Sequence, residues 1–151
     1  REGKNTLQRE ISSAEIIPKM TKHHKGFSYI QQQHLVGQFC EIVISGCRNS
    51  GSVSNGFTIG GVVGYSYDST VTDSYNTGSV SGSTNVGGVV GYNSDSTVTD
   101  CYNSGTVSGN TYVGGVVGQL SSGTVTNCYY DSTVCSADAI GYNADGTVTD
   151  V

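Results

Sequence analysis

Carboxylates recur at a fixed spacing in the second half of this 151-residue chain. Asp68 and Asp95 stand 27 residues apart, and so do Asp73 and Asp100. Carboxylates on neighbouring structural units could share a Ca²⁺ ion or a proton. The alternative is turn chemistry, because Asp before Ser or Thr caps a bend with its own side chain. We favour the turn, since neither position stays acidic one unit later, where the residues are Ser122 and Asn127.

Cysteines recur at the same 27-residue spacing, so they would form one column in a stack of repeated units. Cys47, Cys101 and Cys128 stand at equivalent positions together with Ser74. This position therefore asks for a small residue, and a buried thiol column is the simplest interpretation. A disulfide between Cys101 and Cys128 is conceivable at the spacing of stacked strands, but parallel Cβ vectors would strain it. No paired Cys-x-x-Cys motif occurs, so we expect no metal and no other cofactor.

Threonines flank a valine in each unit, which predicts two outward files of hydroxyl and methyl groups. Such a regular face is similar to the Thr-x-Thr face of ice-binding solenoid proteins. The alternative is that Thr simply favours exposed strand positions. The candidate surface residues are Thr70, Thr72, Thr97, Thr99, Thr124 and Thr126.

Tyrosines form a second candidate surface. Tyr75, Tyr102 and Tyr129 share one column, and Tyr65 shares another with Tyr92. Aromatic rings with polar tips supply contact area for a sugar or a protein. Self-stacking of like residues is the alternative that we favour, although a stacked file on the outside would also be adhesive.

These columns follow from an internal repeat. Gly-Gly-Val-Val-Gly begins at Gly60, Gly87 and Gly114, each 27 residues after the last. Residues 60–86 and 87–113 are identical at 20 of 27 positions. The same 27-residue step aligns Val36 with Val63 and Ile44 with Val71, so a degraded repeat starts near Gln33. A final partial repeat follows a four-residue deletion. The chain therefore holds about four and a half repeats.

Each repeat contains three short β-prone segments, which are 86–92, 97–102 and 106–108 in the best example. Gly, Asn, Asp and Ser separate them and favour turns. A 27-residue unit cannot bury an apolar face alone, but stacked copies form a continuous core. The sequence therefore predicts an all-β fold, a parallel β-solenoid. Its inward columns would be Val71, Val98, Val125 and Val148; Val80, Val107 and Val134; and Ile59, Val86 and Val113.

The chain divides into an N-terminal segment, residues 1–32, and the repeats, residues 33–151. Asn5 followed by Gln8 is typical of a helix start, and Pro18 would end a short helix. Residues 20–32 lack periodicity and indicate a linker or disorder. We expect a short helix or a disordered segment before the solenoid.

Charge is unevenly distributed along the chain. Residues 1–48 hold all seven Lys and Arg with four Glu, whereas residues 49–151 hold eight Asp and no Lys, Arg, His or Glu. Repeats without cations have nothing to neutralise phosphate, which argues against nucleic acid and anionic lipid as partners. No apolar run is long enough to predict membrane insertion.

The repeat resembles the GLUG-motif repeat of bacterial surface proteins. The signature stands here as Gly-Val-Val-Gly at 61–64, 88–91 and 115–118, and Cys-Tyr-Asn-Ser-Gly at 101–105 agrees with it. The resemblance covers roughly residues 33–151. It implies a non-catalytic repeat in large secreted or wall-anchored proteins, including adhesin-like proteins and some immunoglobulin-A peptidases. The peptidase site itself would lie elsewhere, because this chain has no His-Glu-x-x-His motif.

We therefore expect a structural or adhesive module, not an enzyme, at the bacterial cell surface or outside the cell. Its partners would be proteins or glycans on host or neighbouring cells, or further copies bound through the solenoid ends. The alternative from another class is a ligand-binding face, with ice binding by the threonines as the example.

Overall fold

A computed structural model describes residues 42–151 without a gap, together with segments 5–7, 10–11, 27–31 and 34–37. Every described regular element is a short β-strand. The strands before the repeats are β1 (Asn5–Leu7), β2 (Glu10–Ile11), β3 (Phe27–Gln31) and β4 (His34–Gly37). The next are β5 (Ile42–Ser45), β6 (Arg48–Asn49), β7 (Val53–Ser54), β8 (Thr58–Gly60), β9 (Val63–Tyr67), β10 (Ser69–Thr72), β11 (Tyr75–Asn76), β12 (Val80–Ser81) and β13 (Asn85–Gly87). The last are β14 (Val90–Ser94), β15 (Ser96–Thr99), β16 (Tyr102–Asn103), β17 (Val107–Ser108), β18 (Val113–Gly114), β19 (Val117–Leu120), β20 (Gly123–Thr126), β21 (Tyr129–Tyr130), β22 (Ile140–Asn143) and β23 (Thr147–Thr149).

A complete repeat folds into five strands where the sequence predicted three segments. The segment 86–92 is interrupted between β13 and β14 at Gly88 and Val89. The segment 97–102 is interrupted at Asp100, whose φ of 53° turns the chain. The additional breaks therefore lie where the backbone turns a corner of the coil.

Equivalent strands of successive coils pair in parallel and in register. Val71 lies opposite Val98, and Val98 lies opposite Val125. The largest sheets have six strands, in the orders β1-β5-β10-β15-β20-β23 and β22-β19-β14-β9-β4-β3. The remaining sheets, β2-β6-β11-β16-β21, β17-β12-β7 and β18-β13-β8, complete the coil. The predicted parallel β-solenoid is confirmed.

The core is a narrow stack of β-branched side chains. Val71, Val98 and Val125 are fully buried, as are Ile59 and Val86. The inward assignment is wrong at Val134, which is 44% exposed; Val148 pairs in register with the buried Val125 as predicted but is 39% exposed. Val134 lies in a turn, where its amide donates to the Asp131 carbonyl, and β23 is an edge strand of its sheet.

The two outer coils depart from the 27-residue period. At the C-terminal side the predicted four-residue deletion is confirmed, because Val125 pairs with Val148, 23 residues later. At the N-terminal side the predicted alignment is shifted, since Val36 pairs with Tyr65 instead of Val63. Ile44 does pair with Val71 as predicted.

The N-terminal segment contributes strands where we predicted a helix or linker. Asn5–Leu7 forms β1, which pairs in parallel with β5, and Glu10–Ile11 forms β2, which pairs with β6. Phe27–Gln31 forms β3, which pairs with β4 in antiparallel orientation. Open strand edges offer unpaired donors and acceptors, and pairing satisfies them better than an isolated short helix would. The predicted helix end at Pro18 and the linker up to residue 26 lie outside the described residues.

Candidate functional site

The predicted threonine surface forms on the sheet that contains β10, β15 and β20. We call it the threonine face: Thr70, Thr72, Thr97, Thr99, Thr124 and Thr126. Thr70, Thr97 and Thr124 pair in one file, and the other three threonines pair in the second. All six side chains are half-buried, and the valine between each pair points into the core. The structure therefore brings together every threonine that the sequence singled out.

Immediately after the threonine face the chain turns at a corner. The residues at this corner column share a left-handed backbone, with φ values of 63°, 50°, 53°, 50° and 52° for Gly46, Asp73, Asp100, Asn127 and Asp150. Gly, Asn and Asp reach this region more readily than other residues. Asp73 and Asp100 therefore lie at a turn, as predicted, but the hydrogen bonds that their carboxylates accept come from side chains and not from the backbone of the bend.

Hydrogen bonds tie the corner to the threonine face. The Thr72 hydroxyl donates to Asp73 Oδ2 at 2.9 Å, and the Thr99 hydroxyl donates to Asp100 Oδ2 at 3.0 Å. The side-chain amide of Asn127 donates to the other oxygen of Asp100. One threonine file is therefore partly engaged by protein carboxylates.

Asp68 and Asp95 form the second predicted acidic pair. Both have a left-handed backbone, with φ values of 46° and 50°. Ser122 replaces the carboxylate in the next coil, and its hydroxyl donates to Asp95 Oδ1 at 3.0 Å. Residues 43–151 contain no group of three His, Cys, Asp or Glu side chains arranged to hold a metal ion.

Two residues beyond the corner lies the tyrosine file, Tyr75, Tyr102 and Tyr129. Its members pair in register on β11, β16 and β21. Exposure is 42% at Tyr102 and 55% at Tyr129. Arg48 pairs with Tyr75 at the N-terminal side, and its guanidinium carbon lies 5.6 Å from the ring centroid. That distance is within range of a cation–π interaction.

Other tyrosines cover each other. Tyr65 and Tyr92 stack with ring centroids 4.8 Å apart and planes 13° apart, as predicted for like residues in one column. Burial is the main cause that raises the pKa of Tyr65 above its usual range, and the nearby phenol of Tyr92 raises it further. Tyr112 and Tyr142 form a further pair, with a centroid distance of 4.8 Å, that the sequence analysis missed.

The predicted thiol column is buried behind the tyrosine file. Cys47, Cys101 and Cys128 are at most 4% exposed, and Cys101 and Cys128 form no disulfide. Ser74 fills the same position, where its hydroxyl accepts from the Cys47 amide at 3.0 Å. The hydrogen bond to the Cys128 thiol, followed by burial, raises the pKa of Cys101 far above its usual range. Cys101 is therefore a packing residue without nucleophilic character, whereas the hydrogen bond with Cys101 lowers the pKa of Cys128.

A buried asparagine ladder holds the tyrosine file in register. Asn49, Asn76 and Asn103 are fully buried. The amide nitrogen of Asn49 donates to Asn76 Oδ1 at 2.8 Å, and that of Asn76 donates to Asn103 Oδ1 at 2.8 Å. The sequence analysis missed this ladder, although Asn-x-Gly recurs every 27 residues at 49–51, 76–78 and 103–105.

The second glycine of the repeated motif makes room for this ladder. A Cβ at Gly61 would overlap Asn76 and the backbone of Gly88, and a Cβ at Gly88 would overlap Asn103 and the backbone of Gly115. Coils can therefore stack at strand spacing only where this residue has no side chain.

The comparisons with known proteins agree with this repeat unit. The family model of the GLUG motif matches residues 55–81, 82–108 and 109–134, three consecutive units. No curated protein matches the chain, and no solved structure matches it. Within the described residues no helix is both long and apolar enough to span a bilayer.

Proposed function

This chain belongs to the GLUG-motif family, and we propose that it is a non-catalytic structural repeat module that acts as a stalk and adhesive surface. The observation that carries the proposal is the in-register stacking of identical side chains on the outside of a continuous solenoid. Such an arrangement repeats one small contact surface along a stiff support, which increases avidity for a partner.

The chemistry of the conspicuous side chains supports a structural role. Asp73 and Asp100 shape a corner, and Cys101 and Cys128 fill the core. Each has a local task that explains its recurrence. We therefore propose that the module is not an enzyme.

The resemblance to repeats of bacterial surface proteins supports a secreted or cell-surface location. The partners would be proteins or glycans on host or neighbouring cells, or further copies bound through the solenoid ends. Repeats without cations make nucleic acid an unsuitable partner.

Beads coated with the purified chain test the adhesive role. We expect them to bind host cells, extracellular matrix or one another. A chain carrying Tyr75→Thr, Tyr102→Thr and Tyr129→Thr keeps strand-forming residues and loses the aromatic contacts, so its beads should bind less. If wild-type beads bind none of these surfaces, the adhesive role is wrong.

The stalk role needs a separate measurement. A chain with an additional copy of residues 82–108 should fold with one more coil. Small-angle scattering should then show a particle longer by about 4.8 Å, the spacing of paired strands. An unchanged length, or loss of the folded state, would contradict the stalk.

The threonine face supports a second candidate, ice binding. Two files of three threonines lie in register on one sheet, and all six side chains are half-buried. Thermal hysteresis of the purified chain measures this activity directly. Thr97→Tyr should abolish it and Ser108→Tyr, on another sheet, should not; a wild-type chain without hysteresis excludes it.

A further inference from the structure

The tyrosine file and the corner column line one open groove. Asp73 and Tyr75 face outward on either side of the buried Ser74, and the next coil repeats this pair as Asp100 and Tyr102. All five residues line the same shallow depression, together with Thr77. Register pairing of β11 with β16 places the two tyrosines at strand spacing. The groove therefore carries a carboxylate and an aromatic ring twice.

One cation of this chain already lies at the end of the file. Arg48 stands at the position equivalent to Tyr75 in the preceding coil, with its guanidinium 5.6 Å from the Tyr75 ring centroid. The aromatic surface of the file is thus compatible with a guanidinium group. Arg favours such contacts because its weakly hydrated planar group stacks on an aromatic ring.

Charge also favours a cationic ligand. Residues 49–151 carry eight Asp and no Lys, Arg or His, so these repeats supply no countercharge of their own. Asp73 accepts one hydrogen bond, from Thr72 to Oδ2, and no hydrogen bond reaches Oδ1 from the described residues. A carboxylate accepts up to four hydrogen bonds, which leaves capacity for an incoming N–H group.

We propose that this groove binds arginine side chains from a basic segment of a separate partner protein. Each guanidinium stacks against Tyr75 or Tyr102 and donates hydrogen bonds to Asp73 or Asp100. The inference rests on the proposed adhesive function and names the chemistry of the partner: an Arg-rich protein segment.

The test measures binding of a fluorescein-labelled hexa-arginine peptide by anisotropy at low and physiological salt. Asp73→Asn with Asp100→Asn removes both charges and leaves the corner intact, because Asn127 already occupies the same column with a φ of 50°. We expect about a tenfold loss of affinity. The matched control, Asp68→Asn with Asp95→Asn, removes the same charge at another corner and should change affinity less than about twofold.

A second variant addresses the aromatic contact. Tyr102→Leu should weaken hexa-arginine about fivefold and hexa-lysine less, since Lys stacks less well on a ring. Circular dichroism establishes that each variant is folded. An equal loss of hexa-arginine affinity in the two Asp-to-Asn double variants would show non-specific charge attraction and overturn the proposal. Equal affinities of the chain for hexa-arginine and hexa-lysine would do the same.

Sedimentation of the chain alone tests whether the arginine that enters the groove comes from a second copy of this chain or from a separate protein. We expect no self-association at the concentrations used for peptide binding. Association that disappears in Asp73→Asn with Asp100→Asn would assign the groove to a second copy instead of a separate partner. If coated beads bind cells but the chain does not bind hexa-arginine, this inference fails and the adhesive function stands. If the chain binds hexa-arginine but coated beads bind none of the tested surfaces, the adhesive function is rejected and this inference stands.

Discussion

The side-chain amide of Asn76 bridges the asparagines of the two neighbouring coils. It accepts from Asn49 at 2.8 Å and donates to Asn103 at 2.8 Å. The same side chain closes its own turn, donating to the Gly78 carbonyl at 2.7 Å and accepting from the Gly78 amide at 3.1 Å. All four contacts are internal, so the ladder connects three coils through a single buried polar column.

Removing Asn76 should therefore be strongly destabilising. Asn76→Ala leaves the buried amide of Asn49 without its partner on Asn76, which we expect to lower the free energy of unfolding by about 3 kcal/mol. Urea denaturation followed by circular dichroism measures the change. Asn143→Ala is the matched control, because Asn143 closes a similar turn with Gly146 but is exposed. It should cost about 1 kcal/mol or less, and equal losses would contradict a special role of the ladder.

The motif glycine should tolerate no side chain. A methyl group at Gly88 would overlap the Gly115 carbonyl and Asn103, neither of which is a flexible side-chain end. We expect Gly88→Ala to lower the free energy of unfolding by about 3 kcal/mol or to prevent folding. Gly46→Asn is the control, because Gly46 has open space around it and its φ of 63° suits Asn. Thermal melting should show a small change for Gly46→Asn, and similar losses in both variants would refute the packing argument.

Corner residues should be interchangeable among the types that accept a left-handed backbone. Asp100→Asn should leave stability nearly unchanged, whereas Asp100→Val should lower it by about 2 kcal/mol, because a β-branched residue is strained at a φ of 53°. Chemical denaturation compares the two variants. A stable Asp100→Val chain would show that the coil does not need this turn.

The repeat and its columns could be predicted because they depend on local pattern. Alternation along Thr97, Val98 and Thr99 identifies the inward side of a strand, and the 27-residue step then fixes register from coil to coil. Both arguments fail at the outer coils. Val36 is shifted by two residues relative to the prediction, and β1 covers β5 although nothing repeats there.

Buried polar residues were harder to predict. Asn is a residue type typical of turns, and only the position of Asn76 inside the coil makes it a core residue. The candidate surfaces were found because Thr and Tyr alternate with buried residues. The groove between Asp73 and Tyr75 was not found, because it depends on the angle at which the corner turns.

Stability should depend on pH through Cys101 and Tyr65. The hydrogen bond to Cys128 and burial raise the pKa of Cys101, and burial raises that of Tyr65; the same hydrogen bond lowers the pKa of Cys128. A folded state with a raised pKa retains its proton more tightly than the unfolded chain. The stability that Cys101 and Tyr65 contribute is therefore complete below their unfolded pKa values and is lost as pH rises toward their folded pKa values.

We expect the urea midpoint to fall above about pH 9, where unfolded thiols ionise and the Cys101 thiol of the folded chain does not. Cys101→Ser should reduce the fall, and its stability at neutral pH should be close to that of the wild type, because Ser74 already occupies this column. A midpoint that rises above pH 9 would have the wrong sign for this mechanism.

At the corner column, the charge of the residue can change without a change in backbone conformation. Its backbone accepts Gly46, Asp73 and Asn127 with almost the same φ. In the genetic code, Asp is a single nucleotide change from both Gly and Asn. Point mutation can therefore add or remove negative charge along this edge while the coil beneath it is preserved. Lineages can therefore differ in the charge of this edge and still share one coil geometry.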